Sequence, residues 1–352
     1  MLNIETILKK TIKQSSAISV KDFLFLVLHH EKYGYYRKRN IVGKDGDFTT
    51  APEISQVFGE IISNSILINN EQFKNYQNIS FVELGPGRGV LAKDMLRTFK
   101  KLNIRLFNKI KHIYFLEKSE TFIEVLNSLH SSVKIIDDPG KLPNDYNIII
   151  ANEFFDALPV NQYIYSKKNW YNIMVTLNEQ DEFILKISKK PLMPHFLFPK
   201  NPTEGYIFEY SEYIFNLLTS ICKKIIKFGG IFIIIDYARN FKKKDGTLSA
   251  IKNHKKVSIF HDLGNCDLSH SPDFKLIKKI CKINSCYVFG PFKQSFFLQK
   301  FGINERFDML IQKNPFLKES LLYQKKRLIG DKHMGNIFQV LIVSNNNNLK
   351  LF

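Results

Sequence analysis

The sequence predicts an α/β protein built on a doubly wound, Rossmann-like parallel sheet, and three observations predict it. From Ile79 onward short apolar runs alternate with amphipathic stretches, the pattern of parallel strands joined by helical crossovers. The first run closes on Glu83-Leu-Gly-Pro-Gly-Arg-Gly89, a glycine turn that passes directly into a helix. Acidic residues, Glu83, Glu117 and Asp137, stand at the ends of three successive runs. At 352 residues the chain is long enough for about two structural units of roughly 150 residues each.

The elements follow in order. Residues 4–30 carry apolar side chains at helical spacing, with Ser19 placed to cap a helix over 20–28. A Gly/Tyr-rich loop then runs from Tyr33-Gly-Tyr-Tyr36 to Gly43-Lys-Asp-Gly-Asp47. Thr49-Thr-Ala-Pro-Glu53 opens a further helix, with Pro52 in its first turn and Ile54, Val57, Phe58, Ile61 and Ile62 on one face. Strands are expected over 80–84, 113–116, 133–136 and 146–151, with helices over 90–102 and 119–129. A fifth strand over 230–236 follows an amphipathic helix over 212–227, whose exit is marked by Gly229-Gly230. Two stretches break the alternation: 162–187, with the single Trp170, reads as a small antiparallel excursion, and 240–273 as a Lys-rich loop region. The apolar run over 337–343 reads as a late antiparallel strand. The expected division is an N-terminal helical segment over 1–75, acting as a lid, and a sheet domain over 76–352 with insertions near 160–205 and 240–275.

Composition narrows the class. With 44% hydrophobic and 24% charged residues the chain can bury a real core. Lys+Arg number 51 against 33 Asp+Glu, leaving a net charge of +18, which favours acidic partners. Most of that charge is Lys amid abundant Asn and Ile, so the weight falls on a solvated basic surface over a nucleic-acid footprint. Cys222, Cys266, Cys281 and Cys286 form no CxxC pair and no metal-finger spacing; reduced thiols and no metal site are expected. No apolar run approaches the ~20 residues that span a bilayer. The N-terminus has neither a signal-peptide core nor the Arg-rich character of a transit peptide, so the expected setting is cytoplasmic. An oligomer is compatible with all of this.

The glycine turn is the most informative segment. Gly85, Gly87 and Gly89 allow the backbone to approach a ligand and to take positive φ without a Cβ clash. Nicotinamide and flavin domains use such turns too, but with the spacing G-x-G-x-x-G; here it is G-x-G-x-G. Glu83 also lies two residues before the first glycine, where it would repel a pyrophosphate seated at the helix N-terminus. A zwitterionic cofactor with an ammonium group would welcome it, and S-adenosylmethionine (SAM) is such a cofactor. Glu117 stands where a carboxylate accepts both ribose hydroxyls, and Asp137 where one can face the adenine edge. Each has a plainer reading, Glu117 as a cap before Ser119 and Asp137 as part of a turn before Pro139.

With these residues assembled, the chain resembles the MidA-like family of SAM-dependent methyltransferases, which includes the mitochondrial protein arginine methyltransferase that acts in assembling respiratory complex I. The resemblance runs nearly end to end, through Gly34-Tyr-Tyr36, Gly46-Asp-Phe-Thr-Thr-Ala-Pro-Glu-Ile-Ser-Gln56, Phe58-Gly-Glu60, the glycine turn and Ala151-Asn-Glu-Phe-Phe-Asp-Ala-Leu-Pro159. It continues through Asp236-Tyr237, Gly246-Thr-Leu248, Asp267-Leu-Ser-His270 and Met334-Gly335. Ala238 and Ser295 stand where the family usually has Gly. The resemblance implies a Rossmann-like methyltransferase that takes SAM and acts on a protein substrate. That substrate would be an arginine of a complex I core subunit, with symmetric dimethylation as product. A nucleic-acid methyltransferase and a non-catalytic SAM-binding assembly chaperone are the other functional classes compatible with the sequence.

Arginine is a poor nucleophile because its charge is delocalised, so an enzyme must grip it with carboxylates, aim one nitrogen and exclude water. Asn152-Glu-Phe-Phe-Asp156 follows the fourth strand, at the expected donor site. Many base N-methyltransferases carry D/N-P-P-Y/F here; this chain keeps Asn152 and Phe155 and replaces the prolines with Glu153 and Phe154. Glu153 and Asp156 are therefore the candidate guanidinium contacts, and Asn152 joins Glu83, Gly85, Gly87, Gly89, Glu117 and Asp137 as a candidate cofactor residue. The plainer reading makes Asp156 a turn cap and turns Glu153 outward. Asp47, Thr49 and Glu53 are candidate lid residues over the site, Glu53 being equally placed to favour a helix N-terminus. His261 and His270 read as structural histidines, with His270 also able to accept a proton.

Overall fold

Apolar side chains on both faces make the chain from Ile79 onward a set of strands that must be covered on both sides. In the structure, a computed structural model that describes residues 3–37, 49–129, 132–239, 245–252 and 255–351, they form one sheet. Among the described residues it has seven strands: β1 (Ile79–Leu84), β2 (Ile110–Leu116), β3 (Val133–Ile136), β4 (Tyr146–Asn152), β5 (Gly230–Tyr237), β6 (Tyr287–Lys293) and β7 (Phe338–Ser344). Their order is β3-β2-β1-β4-β5-β7-β6. β1 to β5 are parallel neighbours, and β7 runs antiparallel to both β5 and β6. Every residue of β1 and β4 is buried, as strands sandwiched between helices are.

The order reverses between β1 and β4, and in such sheets ligands sit outside the carboxyl ends at that switch point. Register makes those ends level. Leu84 pairs with Leu116 on one side and with Ala151 on the other, and Leu116 pairs with Ile136. Gly85, Glu117 and Asp137 therefore leave the sheet side by side, with Asn152 abreast of them on β4.

The chain divides into two compact units, and the boundaries differ from those expected at 1–75 and 76–352. One unit holds Val42–Phe154, Leu217–Ala238 and Ile277–Phe352, and contains the seven-stranded sheet. The other holds Met1–Ile41, Phe155–Asn216 and Arg239–Leu276. The N-terminal 75 residues are thus not one segment, because their halves have different hydrogen-bond partners. Ile18 and Ser19 pair antiparallel with Val175 and Met174 of the second unit. Gln56–Leu67, by contrast, packs in the sheet unit so closely on the helix Val90–Leu102 that a Cβ on Gly59 would meet the Asp94 Cβ at 2.8 Å.

The second unit's larger sheet is antiparallel, with Asn161–Ser166 and Asn169–Leu177 at its heart, and Trp170 packs edge-on to Phe198 beneath it. Three short strands, Ser249–Lys252, Lys255–Val257 and Asp267–Ser269, form a separate sheet in the stretch expected as loop.

Two further expectations change. The single helix after Thr49 is two, Ala51–Ile54 and Gln56–Leu67, because Ser55 is extended at φ −162° and its hydroxyl accepts the Val57 N–H to start the second. The β6 strand was not expected from sequence. It carries Gly290-Pro291, which an edge strand tolerates with a register shift between Phe289 and Phe292. No helix among the described residues is long and apolar enough to cross a membrane.

Candidate active site

The three glycines of the turn have distinct physical reasons. All take positive φ, +64° at Gly85, +52° at Gly87 and +72° at Gly89. A Cβ on Gly85 would lie 2.7 Å from Phe154 Cδ2, and one on Gly89 would lie 2.4 Å from Leu129 Cδ1. These two are glycine because protein packs against them. A Cβ on Gly87 would meet nothing within 4 Å among the described residues. Its bare backbone borders open space at the level of the strand ends, a cradle that a side chain would fill and a ligand can enter.

Glu83 lies beneath this turn. It is 3% exposed, and its Oε2 accepts the Ala92 N–H at 3.1 Å, satisfying one of the donors left at the start of the Val90–Leu102 helix. Burial pushes its pKa up to about 8, partly opposed by that backbone hydrogen bond. The unfolded chain loses this proton near 4.5, so between the two values the folded protein binds more protons than the unfolded one, and stability falls as pH rises. A Glu83→Gln protein has no such proton to hold. Its thermal midpoint, measured without cofactor, should gain on the parent's between pH 5 and 8.5, by on the order of a few kcal/mol of stability. A pH-independent difference would contradict the buried, proton-holding carboxyl.

Glu117 takes the capping role the sequence allowed. Its Oε1 accepts the N–H groups of Lys118 and Ser119, each at 2.8 Å, which shapes the turn into the helix Glu120–Asn127. Those bonds use one carboxylate oxygen and leave Oε2 outside them. Burial raises its pKa, with the two N–H bonds opposing. If Glu117 also holds the ribose hydroxyls, Glu117→Ala should weaken SAM binding by about 1–3 kcal/mol with the fold retained. Unchanged affinity by calorimetry would leave it a cap only.

Asp137 is placed differently from its neighbours. Its side chain is 63% exposed and its Oδ1 meets Lys141 Nζ at 2.6 Å, a contact that holds its pKa low. The next residue, Asp138, caps the turn by accepting the Gly140 N–H. Register brings Asp137 out of the sheet beside Glu117, but its carboxylate is turned to Lys141.

On β4, Asn152 is buried, and its Oδ1 meets no hydrogen-bond donor among the described residues. Its Nδ2 donates to Glu153 Oε1 at 3.3 Å. Glu153 sits just beyond the strand with φ +51°, a costly conformation for a non-glycine residue and one that clusters at functional sites. Its backbone N–H continues the ladder to Ile235 O, and Oε1 accepts the Ala51 N–H at 3.1 Å. The Glu153 side chain thus ties the strand end to the start of the Ala51–Ile54 helix.

That helix carries Glu53, which does not stand alone. It takes both Nε and Nη2 of Arg88, at 3.1 and 2.7 Å, in a bidentate pair. Arg88 belongs to the glycine turn and was not among the candidate residues; an arginine inside the turn, with a candidate lid acid at residue 53, was the signal that could have found it. Phe154, whose ring covers Gly85, was likewise not among the candidate residues. Thr49 lies just before this helix, half-buried, and Asp47 falls outside the described residues.

Asp156 falls in the other unit. There its backbone O accepts the His270 N–H at 3.1 Å. His270 is buried, with its pKa lowered chiefly by that burial. In the same unit Arg239 and Glu209 form an ion pair at 3.0 Å, 1% and 3% exposed, to which Gln162 and Thr247 also bond. This cluster was not read from sequence. Gly246 was its trace: a Cβ there would lie 2.4 Å from Gln162 Nε2.

A sheet with this strand order, a G-x-G-x-G turn open at Gly87 and carboxylates at level strand ends defines a SAM-dependent methyltransferase of the Rossmann-like class. Residues 61–292, well over half of the chain, match the family described as "Putative S-adenosyl-L-methionine-dependent methyltransferase", and the chain belongs to that family, with SAM as its cofactor. The zebrafish (Danio rerio) protein "Protein arginine methyltransferase NDUFAF7, mitochondrial" is 27% identical over 368 residues, covering 96% of this chain and 86% of its own. The human protein of that name is 28% identical over 359 residues, covering 93% and 80%. A COG1565 superfamily member from Burkholderia thailandensis, crystallised with S-adenosyl-homocysteine, has the same fold, with a TM-score of 0.81 at 21% identity over 97% of this chain and 91% of that one.

Proposed function

We propose that this methyltransferase modifies an arginine of a protein substrate, and that Glu153 grips the guanidinium. The observation that supports this is the anionic side chain fixed at the end of β4, where Asn152, Ala51 and a left-handed backbone hold Glu153 at the carboxyl edge of the sheet. The Gly85–Gly89 turn, Glu117 Oε2 and the unpaired Asn152 Oδ1 are the groups that would hold SAM, which supplies an already activated methyl group when bound. What remains for the chain is positioning. Glu153 aligns the acceptor nitrogen and draws the guanidinium's positive charge toward the N–H groups it holds, away from the nitrogen that attacks, and the Phe154 ring walls the turn against water. Thr49 and Glu53 would close over the bound ligand, Glu53 through its link to Arg88.

The relatives named as protein arginine methyltransferases point the same way. Extended from the resemblance, the client is a complex I core subunit and the product symmetric dimethylarginine. Asp156 is the second candidate carboxylate, tested separately as Asp156→Asn. The cytoplasmic setting expected from sequence finds no support among these relatives, which are mitochondrial by name. The test is transfer of labelled methyl from SAM into a host lysate, followed by protease or ribonuclease treatment. Label lost to protease supports the reading; label lost to ribonuclease replaces it with a nucleic-acid methyltransferase.

A further inference from the structure

Far along the chain, the sheet unit carries an apolar feature that the chemistry does not use. The helices Ile303–Lys313 and Lys318–Ile329 are joined by the single turn Pro315–Leu317, and every residue from 312 to 320 is exposed. At its apex Phe316 is 104% exposed and Leu317 55%, while Leu322 and Tyr323 in the second helix are 43% and 62% exposed. The same helix buries Leu321 and Leu328, so its apolar content is not simply a misjudged core face. Solvated surfaces rarely present a bare phenylalanine beside a leucine at the tip of a turn without a use for them.

Charge says what kind of surface fits. Between residues 313 and 327 the chain carries Lys313, Lys318, Lys325, Lys326 and Arg327 against one acid, Glu319, and of these Lys325 is paired at 3.6 Å with Asp308 of the preceding helix. A protruding apolar tip ringed by lysines matches a bilayer with anionic headgroups: rings and leucine enter the interface, and the lysine stems reach back to the phosphates. The backbone suits this too. Pro315 has no N–H, and the N–H groups of Leu317 and Lys318 are bonded to Asn314 O and Pro315 O, so the tip brings little bare polar backbone with it. A bilayer also needs no shape complementarity, whereas a protein partner would need a groove matched to the tip.

We propose that the Pro315–Leu317 turn and its basic flanks form a peripheral docking site for an anionic membrane surface. The test is flotation of the full chain with phosphatidylcholine vesicles, with and without phosphatidylglycerol. Binding should require the anionic lipid and weaken as salt is raised. The paired changes Phe316→Ala with Leu317→Ala, and Lys313→Glu with Lys318→Glu, should each reduce binding at least about tenfold. Both should keep the parent's melting temperature and methyl transfer to a soluble client. A Phe316→Trp protein should show emission shifted to the blue on adding anionic vesicles only. Absence of vesicle binding, binding that survives both paired changes, or an unmoved Trp emission each overturns the proposal.

Discussion

Gly87→Val should give a folded protein that no longer binds SAM. Strain at φ +52° costs the variant about 1–3 kcal/mol of stability, a loss a protein of this size can absorb. Among the described residues nothing lies within 4 Å of the added Cβ, so their packing is not disturbed. The ligand space is disturbed, because the branched side chain fills the cradle the bare backbone left open. Calorimetry should therefore show at least a hundredfold weaker SAM binding, about 2.7 kcal/mol or more, with cooperative unfolding retained. Substitution at Gly85 or Gly89 would be a poorer probe, since a Cβ there strikes Phe154 or Leu129 and destabilises the fold itself. Parental SAM affinity in Gly87→Val would remove the turn from the cofactor site.

Glu153→Gln should separate chemistry from cofactor binding. The amide keeps an oxygen for the Ala51 N–H, so the strand end and the Ala51–Ile54 helix stay joined. It loses the negative charge, and with it the bidentate anionic grip that a planar guanidinium needs. SAM affinity should stay within about twofold, a few tenths of a kcal/mol. Single-turnover methyl transfer should fall at least about tenfold, the cost of 1.4 kcal/mol at the transition state. Parental transfer rates would mean that the acceptor is held elsewhere, with Glu53 and Asp47 the next carboxylates to test.

The parts legible in the sequence were those governed by local rules. The glycine spacing, with Glu83 ahead of it, pointed to SAM as the cofactor, and the alternation of runs identified the sheet's parallel half. The resemblance, rather than any local pattern, carried the reading from cofactor to arginine. What stayed hidden depends on pairing across the chain. β6 went unread: its Gly290-Pro291 is acceptable only on an edge, and being an edge is a property of the whole sheet. Arg88 acquires meaning only once Glu53, 35 residues earlier, reaches it. Asp137 illustrates the reverse error available to strand-end reasoning: register sets where a residue leaves the sheet, while a nearby Lys141 decides where its carboxylate points. The lid segment divided between two units because Ile18 and Ser19 find their hydrogen bonds some 155 residues downstream, which no local periodicity records.

The central claim is that the acceptor is a protein arginine, and one measurement addresses it at the level of the atom methylated. The purified protein is incubated with methyl-labelled SAM and host lysate, the labelled band is isolated, and its complete acid hydrolysate is resolved by amino-acid chromatography. The account predicts label in dimethylarginine, in the symmetric form, and its loss when the Glu153→Gln protein replaces the parent. Label in methyl-lysine, or in no amino acid while nucleic acid carries it, would contradict the account.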